Sequence, residues 1–247
     1  MGRAEPGSTK TSTPDTAAAR LKPIAHGLWE LEHELALPGG VHMPLRMTVV
    51  RHPGARLSLI SPVPIDDALA LELSALGEVG HLISPSALHH LFLAAARDRY
   101  PTARLYLPPG VTAKNPKLVP DVVFTPEGCA GPGTDLSAQL LEGASRAGEV
   151  CLFHAPSRTL IVGDLVFNIQ HYRGIGTGLV LRLGGTRHRL AASRAWRLLR
   201  DDPKRLRASI ERVLAWDFDR LVVGHGEIVP EGARAALVRG LGFLLAR

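Results

Sequence analysis

An α/β or α+β sandwich, with sheets covered by helices, is the fold class this sequence predicts, and three observations carry it. The first half contains a strand hairpin signal, "MPLRMTVVRHPGARLSLISPV" at 43–63, in which "HPGAR" splits two apolar runs. Short apolar runs then alternate with helical patterns, the signature of strands interleaved with helices. The 247 residues, 45% hydrophobic and 21% charged, have the composition of a globular chain long enough to bury a substantial core.

Taken in order, the opening segment is small, polar and rich in Pro, Ser and Thr, which predicts a disordered tail over 1–20. It lacks the apolar stretch of a secretory signal, so the expected location is cytoplasmic. No apolar run approaches the roughly 18 residues of a membrane span. A single domain is expected over 21–247, because no linker interrupts the chain after the tail. After the hairpin, "PIDDALALELSALG" (64–77) predicts a helix capped by Asp66 and stopped by Gly77. "VGHLISP" (79–85) predicts a strand ended by proline, and "SALHHLFLAAARDRYP" (86–101) a helix capped by Ser86 and stopped by Pro101.

"ARLYLPPG" and "DVVFTPEG" (121–128) read as further strands; "AQLLEG" and "GEVCLFHAPSRTLIVGDLVFN" follow, the latter with apolar strand runs before His154 and Asp164. A Gly-rich link, "RGIGTGLVLRLGG", leads to helices near 190–200 and 204–215, separated by Pro203. "FDRLVVGHGEIV" (218–229) predicts a strand ending in a Gly-His-Gly turn, and "EGARAALVRGLGFLLA" a closing helix. Cys151 reads as a buried core residue, and Cys129 lies in a turn-rich segment; neither belongs to a Cys-x-x-Cys pair.

Residues able to bind metal stand just after three of these strands: His89 and His90, then Asp164, then His225. Singly, a histidine or a Gly-Asp after a strand is ordinary. Their recurrence where α/β folds gather active-site groups is what points to a metal centre. Glu227 is a candidate to orient His225 through its second ring nitrogen, and His171 with Tyr172 to line the pocket. His154 reads as a surface residue at a strand end. The tryptophans Trp29, Trp196 and Trp216 read as core.

In that order, "LISPSALHHLFL", "EVCLFHAPSRTLIVGDLVFN" and "RLVVGHGE" resemble the metallo-β-lactamase fold superfamily, over roughly residues 25–240. Its members carry His-x-His-x-Asp-His after a strand, Gly-His-Thr-Pro-Gly-Ser before a hairpin that leads to Gly-Asp, and a strand ending in Gly-His. The resemblance implies an αββα sandwich, two mixed sheets covered by helices. It also implies where this chain departs. Pro85, Ala87 and Ser145 stand where the three histidines of the first metal site belong, and His89 stands at the aspartate. One site remains, with His89, His90, Asp164 and His225 as ligands of one divalent ion, zinc first, with iron or manganese as alternatives.

The expected function is a metal-dependent hydrolase acting through water activated by that ion, on a small molecule the sequence does not identify. Four protein ligands would fill the shell, which leaves a second reading open: a non-catalytic binding protein with a relic or structural metal. A third reading rests on the net charge of +6 and the arginines between Arg182 and Arg212, which could attract nucleic acid. A solvated basic surface outweighs it.

Overall fold

The structure is a computed structural model that describes residues 20–127 and 132–246. The tail expected over 1–20 (all but Arg20) and Cys129 lie outside the described residues. The first sheet has seven strands in sequence order: β1 (Lys22–Ala25), β2 (Leu28–Leu37), β3 (Val41–Arg51), β4 (Arg56–Ile60), β5 (Glu78–Ile83), β6 (Arg104–Leu107) and β7 (Val122–Val123). The first four pair antiparallel, and from β4 onward the pairing is parallel. The second sheet has the order β11-β10-β9-β8, from β8 (Leu136–Leu140), β9 (Val150–His154), β10 (Thr159–Val162) and β11 (Arg220–Val223). Only β10 and β11 run parallel in it.

The alternation along the strands explains the layering, because successive side chains point to opposite faces. Leu28, Val50, Ile60 and Ile83 of the first sheet meet Leu136, Val150, Leu152, Ile161 and Val222 of the second, and so fill the space between the sheets. The outer face of the first sheet packs Met47, Leu57 and Leu82 against α1 (Asp67–Leu76) and α2 (Leu93–Arg99). The outer face of the second packs Leu160, Val162 and Leu221 against α6 (Pro203–Leu214) and α7 (Ala233–Leu241). The result is the expected αββα sandwich. Among the described residues no helix is long and apolar enough to cross a membrane.

Most predicted elements appear, and the differences have physical causes. Asp66 caps α1, accepting from the Leu69 amide at 2.9 Å. The helix predicted from Ser86 begins only at Leu93, because the Ser86 hydroxyl binds Asp164 and residues 86–92 form turns. The Gly-rich link is a helix, α4 (Ile175–Gly184), whose glycines allow close approach to the backbone of Gly39 and Gly40. The segment predicted as a helix near 190–200 holds one helical turn, α5 (Trp196–Leu199), and the short helix α3 (Val111–Lys114) follows β6. Strands β1 and β2 had no sequence expectation. His154 is buried at the end of β9, against its surface reading: Ser157 and Asp135 hold its ring.

Candidate metal centre

Strands β4, β5, β10 and β11 all end at the same edge of the sandwich, and the loops that leave them carry His89, Asp164 and His225. One ligand atom from each lies within 4.8 Å of the others. His89 Nε2 is 3.1 Å from His225 Nε2 and 3.5 Å from Asp164 Oδ2, and His225 Nε2 is 3.2 Å from Asp164 Oδ1. All three are largely buried.

The surroundings determine which atoms face inward. His225 Nδ1 stands 2.8 Å from the Pro44 carbonyl oxygen. A carbonyl only accepts, so Nδ1 carries the hydrogen, and the neutral ring presents the Nε2 lone pair to the centre. His89 Nδ1 is 2.6 Å from Ser61 Oγ, and Ser61 holds a left-handed backbone (φ 55) that a non-glycine residue adopts at some cost. Asp164 is held at three points: Ser86 Oγ donates to its carboxylate, Trp196 Nε1 to its carbonyl at 3.0 Å, and its own amide to Glu149 at 2.9 Å. Glycine is needed on both sides of His225. A Cβ on Gly224 would stand 2.7 Å from His89 Cε1, and Gly226 has φ +94 with the Asn168 carbonyl oxygen 2.2 Å from where its Cβ would be.

Two nitrogen lone pairs and a carboxylate converging on one point repel each other unless a cation or a proton lies between them. Burial opposes charge on His89, but the carboxylate of Asp164 prevails and raises it. Burial would likewise raise Asp164, and His89 with His225 holds it well below the usual carboxylate range. The donor set therefore fits a divalent ion: two imidazole nitrogens and a carboxylate oxygen, each oriented from behind by a second contact.

His90 does not join this group. Its Nδ1 is buried without a hydrogen-bond partner among the described residues, and burial, then the Lys114 charge, lowers its pKa. Three of the four expected donors therefore converge, and His90 is not among them. Glu227 does not orient His225, whose Nδ1 already belongs to Pro44. The turn at Gly226 carries Glu227 outward to an exposed pair with His171 (2.8 Å). Tyr172 packs near Arg187 and His188, so neither it nor His171 lines the cavity at the three donors. Ser145 is also remote from the centre, bonding Asp201 at the surface.

Two further residues support the centre and had no sequence signal. Glu149, fully buried, accepts from the amides of Gly163, Asp164 and Leu165 at 2.8, 2.9 and 3.2 Å. Burial, with the negative Asp164 beside it, pushes Glu149 up to about 8 against the pull of the Asp164 and Gly163 amides and of His89. Arg46, buried in β3, donates to the carbonyls of Val223 (2.8 Å) and Gly226, which bracket His225, and pairs with Glu30 and Glu32. The three donors open onto a cavity of about 320 Å³. Its walls are Leu35, Leu37, Met43 and Leu45 from the β2–β3 hairpin, Leu88, Leu91 and Phe92 from the turns before α2, and Pro62 and Phe167.

Arg205, Arg207 and Arg212 pair with Asp202, Glu211 and Glu142. Arg189, Arg194 and Arg197, with Arg239, line a separate depression of about 370 Å³, and none of them pairs with a carboxylate among the described residues.

No family model matches the chain, and no curated protein matches its sequence. Solved structures do match its fold. A metallo-β-lactamase from Pontibacter korlensis superimposes with a TM-score of 0.63 at 17% identity, over 92% of this chain and 99% of that one. The metallo-β-lactamase FIM-1 from Pseudomonas aeruginosa, in its mono-zinc form, gives 0.60 at 12% identity over 92% and 96%. A metallo-β-lactamase from Hirschia baltica gives 0.61 at 10% identity over 91% and 96%. At such identities the likeness is one of fold.

Proposed function

We propose that this chain, which has the metallo-β-lactamase fold, is a hydrolase with a single divalent metal, zinc first, held by His89, Asp164 and His225. The observation that carries the reading is the convergence of two lone pairs and a carboxylate on a point open to a cavity, while the far side of each ligand is tied to Ser61, Ser86 or Pro44. The ion, when bound, would act as a Lewis acid toward water and a substrate carbonyl. The residues around it bind and orient: Ser61 and Pro44 set the ring planes, and Glu149 with Trp196 fixes the Asp164 loop. The apolar walls exclude bulk water, which strengthens every charge interaction at the centre.

Metal analysis of the purified protein tests the reading. About one equivalent per chain is expected, lost in His89→Ala and His225→Ala and kept in His90→Ala. Uptake should release protons at acid pH, because an imidazole must give up its proton to bind a metal. No metal in the wild type and no change in His225→Ala would overturn the reading. Turnover is then sought across ester, thioester, lactam and phosphodiester substrates. A full equivalent of metal without turnover would make the centre structural.

The four arginines without carboxylate partners favour a second, independent reading, a surface that binds nucleic acid. It predicts binding of single-stranded DNA that weakens steeply with salt and is lost on Arg194→Glu with Arg197→Glu. Binding that does not respond to salt refutes it.

A further inference from the structure

The walls of the cavity say more than the three donors do about what enters it. Resting on the hydrolase reading above, we propose that the substrate is an uncharged carbonyl compound with an unbranched aliphatic chain, its carbonyl at the donors and its chain between the β2–β3 hairpin and the turns before α2. The polar groups of the cavity are concentrated at its floor, in His89, Asp164, His225 and Ser61. Every other lining side chain is apolar, and no lysine or arginine is among them. Away from the donors the walls offer no countercharge, so a charge on the part of the substrate that lies between them would leave water uncompensated. An uncharged chain meets no such cost.

The mouth supports an elongated shape. Leu37, Leu88 and Leu91 are 43%, 56% and 57% exposed, so apolar surface continues from the cavity to the outside on both walls. Cross-strand neighbours Leu35 and Met43 form one wall, and Phe92, held edge-on by His33 at 5.6 Å, stands in the other. At about 320 Å³ the space lies at the small end of ligand pockets and suits one chain rather than a fused ring system.

The test is binding, so that it does not depend on turnover. Methyl ketones (2-hexanone, 2-octanone and 2-decanone) carry the carbonyl and chain but cannot be hydrolysed. The full chain, labelled with ¹³C at its methionine methyl groups, is titrated with each, both metal-free and zinc-loaded. Met43 lies in the wall and Met47 is buried in the outer core, which gives a probe and a control. The Met43 signal should move while Met47 stays. Affinity should rise about fourfold per methylene, hence about sixteenfold from 2-hexanone to 2-octanone. A ketone charged at the far end of its chain, 7-oxooctanoate, should bind more weakly than 2-octanone, and Leu91→Glu should flatten the chain-length series.

Affinity independent of chain length, a stationary Met43 signal or tighter binding of 7-oxooctanoate than of 2-octanone would each overturn the proposal. The two arms separate this failure from that of the metal reading. Chain-length-dependent binding to a protein that takes up no metal keeps the apolar site and removes the hydrolase. Metal uptake with flat ketone binding does the reverse.

Discussion

Replacing Arg46 with methionine tests how a distant strand holds the centre. Arg46 is 3% exposed, and its guanidinium reaches two backbone carbonyls and two carboxylates. Methionine roughly preserves the volume, so the loss is mainly polar. The Val223 carbonyl and the mostly buried Glu30 would be left without their partner, at about 1–3 kcal/mol each. Glu32 is 48% exposed and regains water, so its share is small. A total of about 2–6 kcal/mol is expected, a range that contains the cost of breaking a buried ion pair. His225 lies between the two released carbonyls, so zinc affinity should also fall, by about 10–100-fold.

Urea unfolding at pH 7 gives the first quantity and competition with a chelator the second. Arg46→Lys keeps the charge but not the fork, and should recover only part of each; it also serves as the probe if the methionine variant does not fold. An Arg46→Met protein within about 0.5 kcal/mol of wild type, with wild-type zinc affinity, would refute the reasoning.

Other changes separate stability from metal binding. In Glu149→Gln an amide donor faces at least one of three backbone N–H groups, so a loss of about 1–3 kcal/mol and a shift of the Asp164 amide resonance are expected; an unchanged spectrum would refute the cradle. Ser61→Gly removes a strained backbone residue along with the bond to His89, so unfolding stability should move by less than about 1 kcal/mol. Zinc affinity should nevertheless fall about tenfold, and a variant that binds zinc as wild type does would remove Ser61 from the site. His81 gives the pH dependence. Burial, then positive charge on His52, Arg56 and Arg104, pushes it down to about 4. Between pH 6.5 and 4 the unfolded chain takes up a proton that the native state refuses, so stability falls as pH falls. The loss is roughly 2 kcal/mol by pH 5. His81→Gln should flatten that part of the profile, and equal slopes in the two proteins would exclude His81 as its source.

What the sequence determined by itself is local and periodic. Alternating apolar runs with turn residues between them specify the strands. Asp66 and Gly77 delimit a helix, and polar residues just past strand ends mark the edge where His89, Asp164 and His225 meet. Strand β2 was missed because Glu30, Glu32 and Glu34 make it look like exposed chain, although Glu30 and Glu32 pair with Arg46 and Glu34 pairs with Arg173. The Gly-rich link is helical because its glycines pack against a hairpin far away in sequence, which composition does not report.

Only the tertiary structure decided how the site is built. His89 and His90 are adjacent in sequence, but an irregular turn sends one ring into the centre and the other away from it, and no periodicity applies to such a turn. The Pro44 carbonyl that sets the His225 tautomer lies 181 residues from it, and Ser86 lies 78 from the Asp164 it holds. Contacts that are distant along the chain come into being only when the two sheets close. The three-donor group and its apolar walls are therefore properties of the fold, carried by residues that look ordinary one at a time.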